Sequence, residues 1–271
     1  MTDTMTASPP RGAPRWLGRL GVAALLTPVV VTLLAPSLVI IPMSFTTSRV
    51  LSFPPTGFTL DWYRELFTSA DWLASAQNSL VVALASTVIC LVLGVPAGLA
   101  FGLREWRSKR LMLALVITPM VIPTVVLAIG MYAVYAQLGL VGVWGLAAAH
   151  AVIGVPFVVI TTMAAARQLD PTLLLAARSL GAPPVQVFLN VTLPAIARGV
   201  LSGAVFAFVT SWDEVVIALF LTDPTFKTIP VQMWNQLSER VDPTVAAIAT
   251  TLLGVTTLLM VSLLAAGRRK Q

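Results

Sequence analysis

Six long runs of apolar side chains, almost free of charge, alternate with shorter polar segments along the chain: 20–45, 79–103, 111–135, 141–166, 199–221 and 244–266. Each run exceeds the roughly 20 residues that a helix needs to cross the hydrocarbon core of a bilayer. The pattern predicts an all-α, polytopic membrane protein with six transmembrane helices.

The polar segments add detail. In 46–78, Asp61 is placed to cap a short amphipathic helix carrying Trp62, Tyr63, Leu66 and Phe67. In 222–243, Pro230 precedes Val231, Met233, Trp234 and Leu237, which predicts a second short helix near the membrane surface. Within the runs, Gly94, Gly98 and Gly102 recur every four residues, a spacing that lets a neighbouring helix approach closely. Pro119, Pro123 and Pro156 predict kinks, because each removes a backbone donor inside a span.

Basic residues set the orientation. Arg11, Arg15, Arg19, Arg104, Arg107, Lys109, Arg110, Arg167, Arg178, Arg198, Arg268, Arg269 and Lys270 fall on one side, and only Arg49, Arg64, Lys227 and Arg240 on the other. The excess of Lys and Arg marks the cytoplasmic side, so both termini are expected there. The first run is too long for a secretory signal core and is expected to remain as a span. The organisation that follows is a cytoplasmic, disordered tail over 1–19, a transmembrane domain over 20–267 with a cytoplasmic loop at about 167–196, and a tail over 268–271.

Composition agrees: of 271 residues, 57% are hydrophobic and 10% charged, and the mean hydropathy is +0.90. A soluble domain carries about 25% charged residues. The pI of about 10.2 does not point to nucleic acid, because the basic residues sit in short segments beside apolar runs rather than on a polar face. The single cysteine, Cys90, lies inside a run, which excludes an intrachain disulfide and a cysteine-based metal site. No metal or cofactor is expected. His150, the lone histidine, lies in the fourth run and predicts a buried hydrogen bond. Trp16, Trp62, Trp72, Trp106, Trp144 and Trp234 lie near the ends of runs, as interfacial anchors do.

The segment between the fourth and fifth runs is longer than a connection requires. Asp170 suits a helix cap, Pro171 the first helical position and Gly181 a left-handed stop, after which Pro183 and Pro184 open a second helix. Two short helices joined by a tight turn follow, with Ala177 and Gly181 forming a notch that fits a partner's surface. Ala176, Ala177, Gly181 and the later Leu193-Pro194 resemble the Glu-Ala-Ala loop of binding-protein-dependent ABC importer permeases, although Leu175 stands where that family typically has glutamate. Span number, orientation and loop position agree over nearly the whole chain. The resemblance implies a type I ABC importer permease fold in a bacterial inner membrane. It also implies three partners: an ABC ATPase dimer docked on this loop, a second, similar permease subunit, and an external substrate-binding protein. The three lysines lack the Gly-Lys-Ser/Thr setting of a phosphate-binding loop, so ATP hydrolysis is expected of a separate polypeptide and not of this chain.

The fifth run contains adjacent acids, Asp213 and Glu214, beside Trp212. A charged side chain at the middle of a bilayer costs at least ~2.5 kcal/mol, so such residues pair or face water. Neighbouring helical positions diverge by about 100°, so one acid is expected to line a path while the other pairs locally; Asp213 is the first candidate and Trp212 a cation–π candidate. A salt bridge to another subunit, or a helix lying near the surface, accounts for the acids equally. Ser-Trp-Asp-Glu-Val-Val, and Phe58 to Tyr63, resemble the spermidine/putrescine branch of this permease family. Thr124 stands where some members of that branch carry an acid, so a related cationic amine is a further expectation. The alternative class is a secondary transporter or channel that needs no ATPase.

Overall fold

The computed structural model describes residues 15–239 and 242–268, with side chains over 24–238 and 242–258. Among them the regular structure is helical. The helices are α1 (Arg15–Met43), α2 (Asp61–Thr68), α3 (Ala70–Leu103), α4 (Lys109–Ile117), α5 (Thr124–Leu138) and α6 (Val143–Ala166). They are followed by α7 (Pro171–Ser179), α8 (Pro184–Val187), α9 (Leu193–Trp212), α10 (Val216–Leu221), α11 (Ile229–Glu239) and α12 (Pro243–Arg268). Helix α1 begins at Arg15, inside the segment expected to be tail; the rest of that tail, and residues 269–271, lie outside the described residues.

Four helices are long and apolar enough to cross a bilayer: Ala24–Met43, Ala70–Leu103, Val143–Ala166 and Pro184–Trp212. A fifth crossing is the bent pair Lys109–Met120 and Thr124–Leu138, whose arms diverge by 95°. The described apolar part of α12, Pro243–Leu258, is shorter than the others. The described residues therefore carry four or five of the six expected spans.

Contacts divide the chain into two units, Phe67–Arg240 and a second formed by Met1–Leu66 with Val241–Gln271. In the second unit α1 meets α12, and the turn after α1 is tied to α2. Trp62 Nε1 donates to the Thr46 carbonyl at 2.7 Å, Ser44 and Tyr63 share a hydroxyl hydrogen bond at 2.7 Å, and the Phe45 and Tyr63 rings lie 5.1 Å apart. These contacts anchor the amphipathic helix predicted at Asp61.

In the larger unit α6 is the central helix, packed on α3 along one face and on α9 along another. Glycine makes both approaches possible. A Cβ at Gly94, Gly98 or Gly102 of α3 would stand 2.6–2.7 Å from side-chain atoms of Val158, Thr162 or Ala166. On α9, a Cβ at Gly199 or Gly203 would stand 2.5 Å from Ala165 or Thr161. Cys90 is buried, its Sγ against Gly154. Trp72 departs from the interfacial pattern: it is buried, whereas Trp144 and Trp234 are exposed.

Three runs differ from straight spans. Helix α3 starts at Ala70, nine residues before the apolar run, because the polar residues preceding the run are themselves helical. The third run breaks at Thr118–Pro123, where Pro119 and Pro123 each remove a backbone donor within a few residues. Pro156, by contrast, sits inside an uninterrupted α6. The fifth run breaks at Asp213–Val215, where there is neither proline nor glycine. On the side of this unit reached after α10, Asn78 Nδ2 donates to the Lys227 carbonyl at 3.0 Å and Ser79 Oγ accepts from the Ile229 N–H at 2.8 Å, fixing the α10–α11 connection on α3.

Candidate functional site

The two acids lie side by side in the break of the fifth run and turn in different directions. Helix α9 ends at Trp212, and the Asp213 N–H closes its last turn on the Val209 carbonyl at 3.1 Å. Asp213 is exposed on the surface of its unit. Glu214 turns inward: its carboxylate accepts the backbone N–H groups of Val216, Ile217 and Ala218 at 3.1, 2.8 and 3.2 Å. Those three groups open α10 and would otherwise lack partners in an apolar setting. The charge is stabilised by donors aligned at a helix start, and this explains why the chain breaks here without proline or glycine: the carboxylate takes the N–H groups that a continuous helix would give to the carbonyls of Trp212, Asp213 and Glu214.

His150 of α6 supports the break from the other side. Its side chain is 1% exposed and that of Glu214 is 8% exposed. His150 Nδ1 and Ser211 Oγ are hydrogen-bonded at 2.8 Å, the buried hydrogen bond expected of this residue. His150 Nε2 has no hydrogen-bond partner and lies 3.6 Å from Glu214 Oε2, too far for a hydrogen bond but within ion-pair range of a protonated ring. Ser211, in the last turn of α9, and Glu214, within the break, thus both meet one imidazole. Sequence reasoning placed His150 in a hydrogen bond but did not join it to the acids.

The remaining candidates are more scattered. Trp212 is half-buried and stacks on Phe208, one turn earlier, with ring centroids 5.7 Å apart. Thr124 opens α5 immediately after the 95° bend and is half-buried; it forms no hydrogen bond with either acid among the described residues. No group of histidine, cysteine and acidic side chains suited to a metal occurs among the described residues.

The segment between α6 and α9 forms the hairpin read from its punctuation. Asp170 accepts the Thr172 N–H at 2.9 Å, Pro171 opens α7, and Gly181 ends the turn at φ +78°. The same N–H holds the Asp170 carboxyl below the usual carboxylate range. Ala176 and Gly181 are exposed and Ala177 is half-buried. The second arm is not a separate short helix. From Pro184 it runs through a widened π turn at Phe188–Thr192 directly into α9, so Leu193 and Pro194 lie within one continuous helix. The widened turn precedes Pro194, which has no N–H to offer a regular turn, and Leu193 N–H reaches back to Phe188 O instead. Leu173, Leu175, Leu180, Val185 and Leu189 are all exposed on this hairpin, Leu180 at 88%.

Long apolar helices, two of them interrupted, with a buried carboxylate at one interruption, define a membrane transport subunit. The chain belongs to the family described as binding-protein-dependent transport system inner membrane component, which matches residues 94–270, and it is a permease subunit of an ABC importer. It is 31% identical to the spermidine/putrescine transport system permease protein PotC of Escherichia coli (strain K12), over 90% of this chain and 92% of that protein. It is 28% identical to the putrescine transport system permease protein PotI of the same strain, over 82% of each. The trehalose transport system permease protein SugB of Mycobacterium tuberculosis is 30% identical over 62% of each chain. Among solved structures, a bacterial ABC transporter involved in the import of the acidic polysaccharide alginate shares the fold, with a TM-score of 0.70 at 17% identity over 96% of this chain and 99% of that one. Family membership sets aside the secondary transporter and channel readings.

Proposed function

We propose that this permease subunit imports linear polyamines or a related cationic amine, and that Asp213 is its side chain that meets the substrate's charge. The observation that carries the reading is the division of labour at the break: Glu214 is consumed by three backbone donors, whereas the exposed Asp213 carboxylate accepts no hydrogen bond among the described residues. An uncompensated acid at membrane depth needs a cation or water before it. The similarity to PotC and PotI supports the same substrate class. Trp212, held by Phe208, adds a ring beside that acid, and Thr124 a hydroxyl to the path.

The partners follow from the same reading. An ABC ATPase dimer seats the hairpin at Ala176, Ala177 and Gly181, with Leu175 offering an apolar contact in place of an acidic one. A second, similar permease subunit completes the path, an external binding protein delivers the substrate, and both termini face the cytoplasm. Because Pro184–Trp212 is one helix of 29 residues, about 44 Å at 1.5 Å per residue, displacement of the hairpin by the ATPases is carried along it to the break beside Asp213. The widened turn before Leu193-Pro194 is the compliant point on that lever.

Uptake of labelled spermidine and putrescine, in cells lacking the chromosomal copy and complemented with this subunit and its partners, tests the reading. Saturable, ATP-dependent uptake that collapses with Asp213→Asn supports it. Uptake that is absent for every polyamine, or indifferent to that substitution, overturns it.

A further inference from the structure

A third acid stands at the other end of α10, in a setting unlike that of Asp213 or Glu214. A cleft of about 620 Å³ opens between the last turns of α5 and the end of α10, lined by Tyr132, Ala136, Phe220, Thr222 and Asp223 among others. That volume falls within the range of small-molecule sites. Tyr132 and Ala136 are one turn apart on α5, so the ring overlooks a short side chain and the space beside it stays open. Gly139, which ends α5 at φ +66°, has no atom within 4 Å of where a Cβ would stand, and leaves the rim equally open.

Asp223 is held rigidly at the rim. Its Oδ1 accepts the Thr225 N–H at 2.7 Å, the Thr225 hydroxyl at 2.6 Å and the Phe226 N–H at 2.9 Å. These bonds, the Thr225 hydroxyl first, hold the carboxyl below the usual range, so it is charged at neutral pH. All three converge on Oδ1. Oδ2 accepts none, and no basic side chain pairs with Asp223 among the described residues.

We infer that this cleft is a second binding site for an alkylammonium group, in which Asp223 Oδ2 takes the charge and the Tyr132 and Phe220 rings cover the adjoining methylenes. Carboxylate plus aromatic faces is the chemistry that selects an organic cation over an anion or a neutral sugar. Asp213 precedes α10 and Asp223 follows it, and the helix between them has six residues, about 9 Å of rise. A linear polyamine carries its charges on separate nitrogens along a flexible chain, so one molecule can engage the two carboxylates in succession. The inference rests on the amine substrate proposed above.

The test is equilibrium binding of labelled spermidine and putrescine to the purified transporter, with its second permease and ATPases, in lipid nanodiscs without binding protein. Asp223→Asn keeps the Oδ1 acceptor that the turn needs and removes only the charge. It is expected to weaken spermidine binding about tenfold, the loss of one charge-assisted contact, while Tyr132→Leu and Phe220→Leu weaken it severalfold. A melting temperature equal to that of the wild type certifies the fold of each variant, and if Asp223→Asn does not fold, the two leucine variants decide. Unchanged affinity in the Asp223 and ring variants, with Asp213→Asn still weakened, overturns the second site and leaves the substrate proposal standing. Wild-type transporter that binds neither polyamine overturns both.

Discussion

Glu214 Oε2 lies 3.6 Å from His150 Nε2 while the same oxygen accepts the Ile217 and Ala218 N–H groups at 2.8 and 3.2 Å. One buried carboxylate thus ends one helix segment, starts the next and meets the central helix. Its removal leaves three backbone donors unpaired in an apolar interior. Glu214→Ala is expected to destabilise the subunit by about 1–3 kcal/mol, and Glu214→Gln, which retains an acceptor, by less. Thermal unfolding of the detergent-purified transporter measures the order of the two.

The hydrogen bond between His150 and Ser211 belongs to the same cluster, so removal of its two partners is expected to be coupled. His150→Ala and Ser211→Ala are each expected to cost about 1 kcal/mol, and the double variant less than their sum. A double-mutant cycle on unfolding checks this, and strict additivity would show that the two side chains do not share an interaction.

Packing along α3 separates two glycines. At Gly98 a Cβ would stand 2.6 Å from Thr162 Cβ and 2.9 Å from the Val159 carbonyl, whereas at Gly130 of α5 it would meet nothing within 4 Å. Gly98→Val is expected to cost about 1–3 kcal/mol by overpacking. Gly130→Ala is expected to be neutral or to stabilise by about 0.5–1 kcal/mol through helix propensity. Comparing melting curves of the two variants checks whether glycine at Gly98 serves the α3–α6 contact.

The hairpin carries a pH dependence. Asp170 has a folded pKa depressed by the Thr172 N–H, so the order it contributes is present above the unfolded value of about 3.9 and is lost as pH falls through the lower folded value. Amide exchange of α7 is expected to rise relative to α9 over that acid window, and Asp170→Asn, which keeps an acceptor, to flatten the change. Gly181→Val, at φ +78°, is expected to strain the turn by about 1–2 kcal/mol and to reduce ATPase co-purification while the subunit still reaches the membrane.

Much of this structure is written in short-range chemistry. Asp170, Pro171 and Gly181 announce their helix because caps and left-handed stops are local, and the Gly94, Gly98 and Gly102 stripe announces a close helix pair because only spacing matters. Asp61 and Pro230 stand in the first turns of α2 and α11, but the Asp61 carboxylate accepts the Thr59 hydroxyl at 2.7 Å and no capping N–H among the described residues. What could not be read depends on partners distant in sequence or on backbone. The break after Trp212 lacks proline and glycine, and the groups that define it are three N–H groups and His150, more than sixty residues away. Continuity from Pro184 into α9 was hidden because Leu193-Pro194 resembles a boundary, whereas the widened turn at Phe188–Thr192 accommodates Pro194 within the helix. The bend near Pro119 and Pro123 was foreseen as a kink, but not its 95° amplitude.

The central claim is that the acid left exposed by the break, and not its buried neighbour, meets the imported cation. Initial rates of labelled spermidine uptake into proteoliposomes containing the whole transporter, with binding protein saturating, test this most directly through Asp213→Asn. The account predicts at least a tenfold fall in transport with an unchanged melting temperature. Transport at the wild-type rate in Asp213→Asn would contradict it.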